Sequence, residues 1–202
     1  MIYLDYNATT PCAPEVLQEM LPYFTQKFGN PAATTYPLAW QADEAVKIAR
    51  QEVADALGVL PEEIVFTSGS TESINLAIKG WLKIHKLSQP EKKFHIITSA
   101  IEHAAVLDTC ADIENDGHEL TVLPVNAQGL IQATDLINSI QENTILIATQ
   151  YANNENGVMQ NIQELTTIAK ERKIVFFSDT TQAFGKLDCK VKDLGIDMAC
   201  VS

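Results

Sequence analysis

The chain has 202 residues, 46% of them hydrophobic and 20% charged, a balance that supports a sizeable core and argues against disorder. Its formal charge of −12 and pI near 4.6 would repel phosphate backbones and anionic lipid, which disfavours nucleic-acid and membrane-surface roles. No run approaches the roughly 18 apolar residues of a membrane span, no basic and apolar leader follows Met1, and Cys12, Cys110, Cys189 and Cys200 are too scattered for a disulfide framework or a zinc pair, so a cytoplasmic protein with reduced, buried or idle thiols is expected.

Pro14 suits the first turn of a helix in which Val16, Leu17, Met20, Leu21 and Phe24 recur at helical spacing, with Pro22 a candidate kink. A second helix carries Ala42, Ala45, Val46, Ala49, Val53, Ala56 and Leu57 on one stripe and stops at Gly58, which can adopt the left-handed conformation. From residue 62 the period changes. Residues 64–67, 95–98, 120–125, 144–149, 174–178 and 198–202 read as strands, with helical patterns in most of the gaps. The clearest of these helices begins at Asn161, a cap residue to which Glu164 can reach back, with Leu165, Ile168 and Ala169 facing inward. No repeat or low-complexity tether interrupts the chain. The expected architecture is α/β: an N-terminal helical segment over 1–60 that packs on the main domain, then a mostly parallel sheet with flanking helices over 61–202.

Ligands of such sheets bind outside the carboxyl ends of the strands. Four of those turns are unusually polar. The first, Thr67 to Ser73, places Gly69, Ser70 and Thr71 where a helix begins. Converging N–H groups, the helix N-terminus and two hydroxyls would make a cup for one phosphate, although Ser70 could equally be an ordinary helix cap. No P-loop lysine or G-x-G-x-x-G accompanies it. The second turn holds Glu102 and His103; a histidine there can stack on a planar ring or move protons, or simply hydrogen-bond within the fold, whereas His85, His95 and His118 read as surface or packing residues. The third, Tyr151 to Gly157, offers Asn154 as an amide for a ring substituent and a substrate carboxylate, or is a loop built for its geometry. The fourth begins with Asp179, directly after an apolar strand and ahead of Thr180, Thr181 and Gln182. A carboxylate at the mouth of a buried strand needs a partner, and a protonated heterocyclic nitrogen is one of few good ones; capping the next segment is the alternative. Phosphate, aromatic face, ring hydroxyl and ring nitrogen are together the four handles of pyridoxal 5'-phosphate.

Across these turns the sequence resembles the class V aminotransferase-fold enzymes, and among them cysteine desulfurases of the NifS/IscS type. The segments that carry the resemblance are YLDYNATTP at 3–11, FGNP at 28–31, FTSGSTES at 66–73, EH at 102–103, NNE at 153–155 and DTTQ at 179–182, in the family's order. The resemblance implies fold type I, with an aspartate aminotransferase-like large domain that is truncated here. It also implies roles: Ser70, Thr71 and Ser202 for the phosphate, His103 for ring stacking and proton transfers, Asn154 for the cofactor oxygen and substrate, Asp179 for the ring nitrogen and Gln182 for the ring hydroxyl. It places the lysine that holds the cofactor, the sulfur-accepting cysteine and an arginine for the substrate carboxylate beyond Ser202, so these residues alone are expected to be a cofactor cradle without turnover. The family usually has a small residue at the position of Thr180 and an aliphatic one at Asn156. The implied whole is a homodimer that converts L-cysteine to L-alanine and passes the sulfur, as an enzyme persulfide, to iron-sulfur scaffold or thiolation partners. Alternatives are another pyridoxal-phosphate enzyme of this fold, such as a selenocysteine lyase or an aminotransferase, or an incompetent fragment that acts only in binding or assembly.

Overall fold

The computed structural model describes residues 2–202. Its contacts divide at Val65/Phe66 into two units. In the first, α1 (Pro14–Thr25) starts at the proline and continues through Pro22, and none of its residues is buried. Helix α2 (Pro37–Leu57) ends on Gly58, whose φ of 70° and ψ of 38° are the left-handed stop expected from the sequence; Val59 N–H then reaches back to Ala54 O at 3.0 Å. A 3-10 turn (Pro61–Glu63) follows, and the Arg50 side chain donates to Ile64 O.

Residues 64–67 form no strand, contrary to the sequence pattern. Ile64 is extended, at φ −91° and ψ 130°, but the segment joins no sheet, and Val65 and Phe66 are 66% and 50% exposed. Alternation specifies an extended chain; a strand also needs a neighbour, which the sequence pattern alone does not supply.

The second unit is a five-stranded sheet, parallel throughout, in the order β2-β1-β3-β4-β5. The strands are β1 (His95–Ser99), β2 (Glu119–Leu123), β3 (Thr144–Gln150), β4 (Val175–Asp179) and β5 (Met198–Cys200). They lie where the sequence places them, to within a few residues at each end. Helices α3 (Ser70–Ser88) and α4 (Ala104–Asn115) cover one face, where Ile74, Ile78, Val106 and Cys110 close over Ile96, Leu146, Ala148 and Phe177. By strand alternation Ile97, Ile147 and Phe176 point the other way; α5 (Ala133–Ser139) and α6 (Ile162–Glu171) contribute buried Leu136, Leu165 and Ala169. Central strands covered on both faces are buried along almost their whole length, as β1 and β3 are.

At α6 the expected exchange at the cap differs in detail. Asn161 occupies the cap position, but its amide donates to Glu164 Oε2 at 2.9 Å instead of accepting a backbone N–H. Among the described residues no helix is long and apolar enough to cross a membrane.

Candidate functional site

Because chain order runs outward from β1 to β2 on one side and through β3, β4 and β5 on the other, the sheet reverses direction between β1 and β3. In open α/β sheets such a reversal, at the carboxyl ends of the strands, is where ligands bind. The turns bearing His103, Asn154, Asp179 and Ser202 all follow those ends, and α3, which begins with Ser70 and Thr71, packs on β3, β4 and β5. The topology therefore gathers these residues at one rim; Gln182 lies three residues beyond the end of β4.

The loop before α3 is organised by its own side chains. Gly69 takes the cap position at φ 154° and ψ 178°, a region essentially reserved for glycine. Thr67 Oγ1 accepts the Gly69 N–H at 3.3 Å and bonds Ser73 Oγ at 2.7 Å. The Glu72 carboxylate takes both the hydroxyl and the N–H of Ser68 at 2.6 Å, which hold it below the usual carboxylate range. Ser70 is not the cap residue: Gly69 occupies that position, and no side chain caps the helix. The hydroxyls of Ser70 and Thr71 stay outside this network, at the positive end of a 19-residue helix.

His103 caps α4, with Nδ1 accepting the Ala105 N–H at 3.1 Å; a neutral ring in that role carries its proton on Nε2. The ring is exposed. Its turn is tied to the end of β3, because Ile101 O accepts from Gln150 Nε2 at 2.5 Å and from Asn153 Nδ2 at 3.0 Å. Asn153 also accepts the N–H groups of Glu155 and Asn156 at 2.8 and 3.0 Å and so shapes the loop, leaving half-buried Asn154 free of that structural work. Asn156 is exposed and accepts the Val158 N–H at 3.0 Å.

Asp179 is 7% exposed. Thr181 N–H and Cys200 Sγ donate to the same oxygen, Oδ1, at 3.0 and 3.3 Å. Cys200 is buried, one of the states the sequence allows, and its thiol is also a donor to the rim carboxylate, because β5 pairs with β4 in a register that sets Cys200 opposite Asp179. Thr180 is fully buried and its hydroxyl donates to Cys200 O at 2.7 Å, an interaction that a smaller residue there would lack. Half-buried Gln182 accepts from Lys186 Nζ at 2.8 Å, and Ser202 is exposed beyond β5.

Sequence reasoning singled out His103 and gave Glu102 no role. The structure buries Glu102 to 6% exposure, with Ser99 Oγ donating to Oε1 and with Oε2 buried without a partner. Burial pushes its carboxyl up to about 8; the Ser99 hydroxyl opposes this, the charge of Asp179 adds to it and the backbone of Gln150 opposes it. The same signal that marked Asp179, a carboxylate just past an apolar strand, also marks Glu102. The nearby thiols are poor nucleophiles: burial raises Cys110 to about 12 and moves Cys189 and Cys200 upward as well.

The description "Aminotransferase class-V" matches residues 2–202, and the chain belongs to that family. Its relatives narrow the comparison to one branch. It is 46% identical to cysteine desulfurase IscS of Rickettsia felis and 45% identical to that of Rickettsia bellii, in each case over all of this chain and 48% of the relative. The chain spans about half the length of the curated relatives it matches. Among solved structures, SspA in complex with cysteine superposes with a TM-score of 0.93 at 45% identity, over 99% of this chain and 56% of that one. A NifS-like protein superposes at 0.92 with 35% identity, over 100% and 54%.

Proposed function

We propose that this chain supplies the pyridoxal-phosphate cradle of a cysteine desulfurase. The observation that carries the reading is Asp179: a nearly buried carboxylate at the mouth of β4, with no basic side chain among its described partners, beside the hydroxyl-bearing start of α3. A buried carboxylate left in this state fits a cationic ring nitrogen. Two further orphaned buried atoms, Thr149 Oγ1 and Ser178 Oγ, lie one residue inside the same strand ends. When bound, the cofactor supplies an electron sink for carbanion chemistry on an amino acid.

This chain's residues then have defined tasks. Ser70, Thr71 and the first turn of α3 bind the phosphate, with Ser202 adding a hydroxyl. Asp179 holds a proton on the ring nitrogen, its own position fixed by Thr181 and Cys200. His103 covers the ring and, with its proton on Nε2, can give or take one at the substrate. Asn154 orients the cofactor oxygen and the substrate, and Gln182 binds the ring hydroxyl. Residues 1–60 act as a helical segment and 61–202 as the cofactor-binding part of a fold type I large domain.

The substrate proposed is L-cysteine, which SspA is described as binding. The products are L-alanine and sulfur carried on a thiol as a persulfide, for iron-sulfur scaffold or thiolation partners. Burial makes Cys110, Cys189 and Cys200 unsuited to that attack, and the family resemblance assigns the acceptor role to none of the four cysteines here, exposed Cys12 included. A cytoplasmic homodimer completes the proposal, on the strength of the IscS likeness. The test supplies the intact protein with pyridoxal phosphate and L-cysteine and quantifies alanine and thiol-bound sulfur. Both should appear in equal amounts. Amino-group transfer to a 2-oxo acid, or turnover of selenocysteine alone, would replace the desulfurase reading with one of its relatives.

A further inference from the structure

Glu102 occupies a setting in which a charged carboxylate is poorly served. It lies in the turn between β1 and α4, 6% exposed, and one of its oxygens is buried without a partner. Its neighbours from the packed elements are the hydroxyl of Ser99 on β1, the backbone of Gln150 on β3, the carboxylate of Asp179 on β4 and the thiol of Cys110 on α4; Cys200 of β5 lies beyond, bonded to Asp179. None of these carries a positive charge. The turn itself is clamped, since Ile101, the residue before Glu102, accepts two amide donors from Gln150 and Asn153, and His103, the residue after it, starts α4.

We propose that Glu102 is a positioning residue, kept as a neutral carboxylic acid that fastens the His103 turn to the strand ends and leaves Asp179 to carry the negative charge of the rim. Two carboxylates in one desolvated region cannot both ionise cheaply. The geometry assigns the proton to Glu102, because Asp179 already has two donors on one oxygen while Glu102 has an oxygen with none. Ionisation of Glu102 places a second charge in the rim and stresses the turn that carries His103. The meaning of this for cofactor binding rests on the function proposed above, but the state of Glu102 itself does not.

The test uses the intact protein, with and without pyridoxal phosphate, and compares wild type with Glu102→Gln, which keeps the shape and removes the titration. Imidazole NMR signals of His103 should show a step near pH 8 in wild type, matching the carboxyl pushed up to about 8, and the variant should lack it. The dichroism of bound pyridoxal phosphate should step at the same pH in wild type only. A purely structural Glu102 would give variants with altered stability but no such step. No wild-type step above pH 7, or the same step in Glu102→Gln, would overturn the proposal. If Glu102→Gln fails to fold, Ser99→Ala decides: it removes the hydroxyl that favours the ionised form, so the step must move upward. A step that stays or moves downward would overturn the assignment. Failure of pyridoxal phosphate to bind any of these proteins would defeat the proposed function instead, and the cofactor-free titration would still judge Glu102.

Discussion

The two ends of the parallel sheet use polar residues in opposite ways. At the amino end, His95 is buried and bridges three strands: Nδ1 bonds Thr144 of β3 at 2.7 Å and Nε2 bonds Thr121 of β2 at 2.8 Å. Asn143 donates to Glu119 at 3.0 Å beside it. At the carboxyl end lie Glu102 Oε2, Thr149 Oγ1 and Ser178 Oγ, three of the four buried side-chain polar atoms left without a partner among the described residues; the fourth is His118 Nε2. Satisfied polar groups hold strands in register. Unsatisfied ones persist where a fold keeps its capacity for a ligand, a proton or a water.

Substitutions can break that contrast. The largest expected effect is at the amino end: His95→Ala should cost about 3 kcal/mol of stability, because it leaves a cavity and two hydroxyls without their ring partner. Chemical denaturation measures this, and pyridoxal-phosphate affinity should be unchanged. At the carboxyl end Asp179→Ala should weaken pyridoxal-phosphate binding by about 2 kcal/mol, roughly 30-fold, the loss of one charge-assisted hydrogen bond. Fluorescence titration of the intact protein reads it. Gly69→Ala should be smaller in stability, about 1–2 kcal/mol, since φ 154° disfavours a side chain although nothing lies within 4 Å of the added Cβ. Phosphate-dependent binding should fall with it. The smallest effect should be at an orphan: Thr149→Val removes an unpartnered buried hydroxyl and should be neutral or stabilising, by at most about 1 kcal/mol.

Acid and base should also separate the ends. Burial lowers the His95 pKa, so the folded state takes up a proton less readily than the unfolded chain, and stability should fall as pH drops below the ordinary histidine range. Glu102 works in the other direction. Its folded value of about 8 exceeds the ordinary glutamate value of 4.5, so its stabilising contribution is complete below 4.5 and is lost progressively as pH rises to about 8. His95→Ala should therefore remove a rise of stability with pH in and below the ordinary histidine range, and Glu102→Gln a fall of stability between pH 4.5 and about 8.

Much of this was legible in the sequence because it is local. The apolar runs that become β1, β3 and β4, the glycine stop at Gly58 and the polar turns after the strands are all short-range signals. The misread strand at 64–67 and the unrecognised roles of Glu102 and Cys200 share one cause: each depends on a partner distant in the chain. An alternating segment becomes a strand only where a sheet takes it up. A glutamate is an ordinary turn residue until Ser99, Gln150 and Asp179 close around it, and a cysteine is an inert thiol until β5 sets it opposite Asp179. Asn154, by contrast, was singled out from its turn alone, and the bonds that shape that turn are made by Asn153.

The central claim is that the carboxyl rim holds pyridoxal phosphate, and a crystal structure of the intact protein grown with the cofactor tests it most directly. The account predicts the phosphate at the start of α3 within hydrogen-bond reach of Ser70 and Thr71, with the ring nitrogen on Asp179 and His103 against the ring face. A cofactor bound elsewhere, or a ring nitrogen turned away from Asp179, would contradict it.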